Sequence, residues 1–102
     1  MKRIIDGKTY STETAQKLGE WWNGLSDSDF RHISESLYRT KNGRYFLAGE
    51  GGPMTRYSHP VGDMTGGGEG IIPLSESEAR EWMERHGDFP EYVAAFGEPE
   101  EA

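Results

Sequence analysis

Cysteine is absent from the sequence. That excludes disulfides, thiol catalysis and thiolate zinc sites, and it accords with a reducing cytosol. Long apolar runs are absent too. Met1-Lys2-Arg3 is basic, but only Ile4 and Ile5 follow before Asp6, so the start does not read as a signal peptide. No stretch approaches the roughly 20 apolar residues that cross a bilayer. A cytoplasmic protein without membrane contact is expected.

Positive charge is scarce at one end. Residues 1–74 hold nine Lys or Arg and nine Asp or Glu, whereas residues 75–102 hold only Arg80 and Arg85 against nine carboxylates. The whole net charge of -7 therefore lies in the C-terminal quarter. Such a surface repels a nucleic-acid backbone and attracts a basic protein surface. It also serves solubility alone, the more ordinary use of surface charge.

Apolar residues make up 33% of the 102 positions, enough for one small domain with a thin core. Three Trp, five Tyr and four Phe supply much of the area to be buried. A single domain over 1–97 with a flexible acidic tail over 98–102 is expected.

Ile4-Ile5, Asp6-Gly7 and Lys8 to Tyr10 read as strand, tight turn and return strand. Ser11 or Thr12 is placed to cap a helix in which Ala15, Leu18 and Trp22 share a face, with Asn23-Gly24 ending it. On that helix Trp22 points to the core and Trp21 lies exposed or half-buried. Asn42-Gly43 between alternating runs predicts a type I′ hairpin. Its two-residue turn sets Arg39 opposite Phe46 and Tyr38 opposite Leu47. Both faces of this hairpin are partly apolar, so the pattern leaves open which is buried.

Residues 49–70 read as a long loop in which eight of 22 positions are glycine. Such loops are functional or disordered. "GIIPL" follows as a short strand that ends at Pro73 or lies at a sheet edge. Ser75 with Glu78 and Asp88 with Glu91 form two capping boxes, each opening a helix. Ala79, Trp82, Met83 and His86 line one side of the first. Tyr92, Val93 and Phe96 line the second. The expected fold is α+β: a small antiparallel sheet of three to four strands, with an N-terminal helix and one or two C-terminal helices packed on one face.

No constellation here specifies a reaction. His32, His59 and His86 belong to no HExxH or His-x-His pattern. His86, at a helix C-terminus, suits capping or packing, and the helix dipole there favours its charged form. His59 is the best placed for acid–base work, with Arg56, Tyr57 and Asp63 near it in sequence. That set defines one alternative, a small enzyme or ligand-binding protein. Glu50, Asp63 and Glu69 lack the dense spacing of a calcium loop, and no metal or cofactor is expected. "GEGG" precedes a proline rather than a helix, unlike a dinucleotide-binding turn. Arg31, Arg39 and Arg44 with Tyr38, Tyr45 and Phe46 offer a second alternative, a nucleic-acid-binding hairpin. The lack of a basic surplus argues against direct nucleic-acid binding.

An interaction surface is the remaining class. Trp21, Tyr38, Met54, Arg56 and Tyr57 are residue types that build interface centres. Glu50, Glu76, Glu81 and Glu84 present negative charge to a basic partner. A protein so charged imitates the phosphates of nucleic acid. The protein is expected as a monomer or a homodimer.

"SDFRHISESLYRTKNGRYFLAGEGGPMTRY" and "GIIPLSESEAREWMERHG" resemble a group of small bacterial and mobile-element proteins. Their pattern runs "Y-x-T-x-T-A", "LYRTKKGNYFL-x-GEGG" and "IIPLSEEEA-x-EW". It corresponds here to Tyr10 to Ala15, Leu37 to Gly52 and Ile71 to Trp82. The glycine-rich "HPVGDMTGGGEG" departs from it as an insertion. The resemblance spans residues 8–96 and implies an inhibitor of a CRISPR effector, a role held by some proteins of this kind. It carries no catalytic residue.

Overall fold

A computed structural model describes residues 1–102. Eight strands precede two helices: β1 Lys2–Ile5, β2 Lys8–Ser11, β3 Gln16–Trp22, β4 Ile33–Arg39, β5 Tyr45–Gly51, β6 His59–Val61, β7 Met64–Gly66, β8 Gly68–Leu74, α1 Glu76–His86 and α2 Phe89–Phe96. The main sheet is antiparallel with the order β3-β4-β5-β8, and β1-β2 and β6-β7 are separate hairpins. The fold is therefore α+β, with both helices at the C-terminus.

The N-terminal helix does not exist. Ser11 does begin a helical turn, since Ala15 N–H donates to its carbonyl at 3.1 Å. The turn is not continued, because local bonds take the groups that would extend it. Ser11 Oγ accepts from Glu13 N–H at 3.2 Å, and Thr12 exchanges bonds with Met1. The segment after it contains Gly19, a poor helix former, and pairs with β4 as strand β3. Trp21 then turns toward the helices and Trp22 away, reversing the orientation expected of a helix. Trp22 is 61% exposed, with its indole N–H donating to Leu25 O at 2.9 Å.

The central hairpin forms, with a different register. Leu37 pairs with Leu47, Tyr38 with Phe46 and Arg39 with Tyr45. Its connection is one residue longer than the expected two-residue turn. Gly43 N–H donates to Thr40 O, Thr40 N–H to Arg44 O, and only Gly43 takes positive φ. That is the three-residue hairpin with glycine in the left-handed position. The shift regroups the faces: Glu35, Leu37, Leu47 and Tyr45 look toward the helices, and Tyr38 and Phe46 away. In the β1–β2 hairpin Asp6 and Gly7 both have positive φ, as a type I′ turn requires.

The helices cover one face of the sheet. Leu37, Tyr45, Leu47, Ala79, Trp82, Met83 and Ala95 form the buried cluster, flanked by Leu18, Trp21, Ile72 and Phe96. Met83 fits against the sheet where Gly19 leaves room; a β-carbon there would lie 3.2 Å from the Met83 methyl. Tyr10 crosses to the other face and meets Phe46 edge-on at 5.5 Å, while Tyr38 stacks on the same ring at 5.2 Å. Both capping boxes are present. Pro73 lies in β8, the sheet's edge strand, where a missing N–H is tolerated. Residues 98–102 follow α2 without regular structure and are exposed. No helix is long and apolar enough to cross a membrane.

Candidate functional site

Residues 49–70 are not one long loop. β5 continues to Gly51, a compact turn spans 52–58, and β6, β7 and β8 follow. Within the turn Thr55 N–H and Oγ1 both bond Gly52 O, Tyr57 N–H donates to Thr55 Oγ1, and Ser58 N–H donates to Thr55 O. The glycines make this folding-back possible. A β-carbon at Gly49 would lie 2.4 Å from the Tyr57 ring, and one at Gly52 would lie 2.5 Å from Phe30 O. They are sites of close approach, not a phosphate cradle.

Tyr57 is thereby laid over Gly49, next to the one buried carboxylate of the sheet. Glu35 is 3% exposed. Tyr57 hydroxyl donates to Glu35 Oε2 at 2.6 Å, and Trp82 indole N–H donates to Glu35 Oε1 at 3.1 Å. Arg56 Nη1 approaches Oε2 at 3.5 Å from the half-exposed side. One carboxylate thus ties β4 to the 52–58 turn through one oxygen and to α1 through the other. Burial, and then the bond to the anionic Glu35, push the Tyr57 hydroxyl pKa far above its ordinary value. The phenol stays protonated and remains a donor.

His86 closes the far side of this network. It stacks on Trp21 at 3.8 Å between centroids and meets Trp82 edge-on at 5.3 Å. Packing was the expected role, but the charged form is not favoured. Burial lowers its pKa below the ordinary 6.5; Glu35 opposes that shift and Arg85 adds to it. Desolvation is the largest of these influences.

The sequence set Arg56, Tyr57, His59 and Asp63 does not assemble. Arg56 and Tyr57 converge on Glu35, while His59 stands exposed on β6 beside Gly66 and Gly68, and Asp63 lies in the β6–β7 turn. No side-chain hydrogen bond links His59 or Asp63 to the other two. No three His, Asp or Glu side chains gather as a metal-ligating group. The hairpin aromatics are likewise committed. Phe46 is fully buried, and Arg39 is bonded to Ala95 O at 3.0 Å and to Gln16 at 3.1 Å.

The residues expected at an interface separate into two kinds. Trp21, Tyr38 and Tyr57 are held by intramolecular packing. Met54 is 62% exposed beside Phe30, itself 66% exposed. Glu50 is exposed opposite Glu69 on the sheet face away from the helices. Glu76 is paired with Arg80 at 3.1 Å, whereas Glu81 and Glu84 are exposed on α1 and make no ion pair. A groove of about 320 Å³ runs between the helices, with Met83, Phe89 and Tyr92 on its walls and Glu84 and Asp88 at its margin. Phe89 is 63% exposed there.

Sequence reasoning missed Glu35 and the exposed Phe89. The signal for Glu35 was legible: in "ISESLYR" it occupies the same alternate face as Ile33 and Leu37. A carboxylate in that series has to find donors. The donors, Tyr57 and Trp82, lie 22 and 47 residues away in sequence. The chain matches no protein-family model, no curated protein and no solved structure.

Proposed function

We propose that this chain is a non-enzymatic protein-interaction module that docks the acidic edge of its helical layer on a basic, nucleic-acid-binding protein surface. Its place of action is the cytoplasm. The observation that carries this reading is the groove between α1 and α2. An exposed aromatic, Phe89, stands in it beside the carboxylates of Glu84 and Asp88. An apolar anchor beside fixed negative charge suits a partner that offers Lys or Arg around an apolar contact.

Charge placement supports the same reading. Three of the nine C-terminal carboxylates, Glu78, Asp88 and Glu91, serve the capping boxes, and Glu76 pairs with Arg80. Glu81, Glu84 and the tail residues Glu98, Glu100 and Glu101 have no such partner and remain to face another molecule. A surface of this kind competes with nucleic acid for its binder, and a CRISPR effector complex is the class to test.

The test measures target-DNA binding and cleavage by purified effector complexes with increasing amounts of the chain. The expected result is loss of DNA binding that weakens with added salt. Glu81→Gln/Glu84→Gln slows association by about tenfold, and Phe89→Ser speeds dissociation. Effectors that bind and cleave DNA unchanged at saturating chain would sink the inhibitor reading.

A further inference from the structure

A second cleft lies at the other charge extreme. It has a volume of about 470 Å³ and runs between β2, the turn after it and the β4–β5 turn. Its walls carry Lys8, Lys41 and Arg44 and no carboxylate. None of these three cations makes a side-chain hydrogen bond or an ion pair. Of the chain's eight other Lys and Arg residues, five have one: Arg3 donates to Lys2 O, Lys17 is held by Glu20, Arg39 by Ala95 and Gln16, Arg56 by Glu35, and Arg80 by Glu76. Three like charges around one cleft repel one another unless an anion lies between them.

Tyr10 supplies a second, independent observation. It forms part of the same wall and is only 6% exposed. Its ring is fixed edge-on against Phe46. Its hydroxyl bonds no protein group, yet no buried polar side-chain atom of the molecule lacks a partner. The hydroxyl therefore keeps its solvent contact, as an unused donor on a rigid ring. Thr9 and Thr14 add hydroxyls beside it.

We infer that this cleft binds the phosphate groups of a polyanion. A phosphate chain offers several acceptor oxygens and more than one negative charge, matching two ammonium groups, a guanidinium fork and hydroxyl donors. The cleft has no free aromatic face on which a base would stack, since the Tyr10 ring is already packed. Recognition is thus of phosphate and not of base. A nucleotide's phosphate tail and a nucleic-acid backbone share this chemistry. The inference is separate from the acidic groove, which lies on the helical layer.

Isothermal titration calorimetry of the whole chain at low salt tests it, with sodium tripolyphosphate and a short thymidine oligonucleotide as separate probes. The expected result is one tripolyphosphate per chain, with Lys41→Gln and Arg44→Gln each weakening it by about tenfold. Tyr10→Phe weakens it while leaving the ring packing and the melting temperature in place. Lys17→Gln, outside the cleft, has no effect. Tighter binding of the oligonucleotide, lost in the same variants, would support the inference with the backbone as the source. No binding of either probe would overturn it, as would equal weakening by Lys17→Gln, which marks diffuse charge attraction.

Discussion

Glu35 joins three segments of this structure, β4, the 52–58 turn and α1. Both its oxygens are occupied by buried donors from distant segments, so removing it strands two polar groups. Glu35→Ala is expected to cost about 3 kcal/mol in urea denaturation. Glu35→Gln is expected to cost much less. Its carbonyl accepts from the Trp82 indole, which only donates, while its amide donates to the Tyr57 oxygen, which also accepts; only the Tyr57 O–H is then left without an acceptor. Equal losses for the two variants would show that charge, not hydrogen-bond satisfaction, is what matters there. Gly49 presents the complementary case. Gly49→Ala sets a methyl against the Tyr57 ring and is expected to cost about 2 kcal/mol. That cost should shrink in a Tyr57→Ala background, because the clash is then gone; a double-mutant cycle reads the coupling.

At the scale of elements, local signals succeeded where the local chain supplies its own partners. The boxes at Ser75–Glu78 and Asp88–Glu91 close reciprocally within one turn, so four residues suffice to specify each helix start. Ser75→Ala and Asp88→Ala are each expected to lower stability by about 1 kcal/mol, read as a fall in the thermal midpoint with far-UV dichroism. Bonds from Ser75 to Glu78 also hold the Glu78 carboxyl below its ordinary pKa, so this support is present above about pH 4.5 and fades as pH falls through the lower folded value. The segment from Ser11 to Trp22 failed for the opposite reason. Its spacing of Ala15, Leu18 and Trp22 matches a helix, and its cap even forms one turn. Pairing with β4 and the room at Gly19 for Met83 are tertiary facts, and they override a weak local preference. The hairpin register turned on one residue of loop length, which regroups the faces of its two strands.

At the scale of the molecule, the helical layer and the sheet meet around His86, whose pKa burial lowers. The sign of its effect follows from its lowered pKa. Between the folded value and about 6.5 the unfolded chain binds more protons, so stability rises with pH. The contribution is complete above about pH 6.5 and is lost as pH falls through the folded value. Urea midpoints are expected to drop from about pH 7 to about pH 5, and His86→Gln should flatten that slope. An unchanged slope would assign it to other groups. Quenching of Trp21 by the stacked ring offers a fluorescence readout of the same contact. The charge distribution also acts at this scale, with an acidic helical edge and an unpaired basic cleft on separate surfaces.

Sequence alone determined the features that depend on neighbours in the chain. These are the α+β class, a tight turn at Asp6-Gly7, the C-terminal helices with their caps, and the segregation of negative charge. Tertiary structure decided what depends on distant partners. The strand identity of β3, the exposure of Trp22 with the half-buried Trp21 packed against the helices, and the commitment of Arg56 and Tyr57 to Glu35 all belong here. The physical reason is range. A cap or tight turn satisfies its hydrogen bonds within four residues, whereas a strand and a buried carboxylate find their donors only when segments far apart in sequence are brought together.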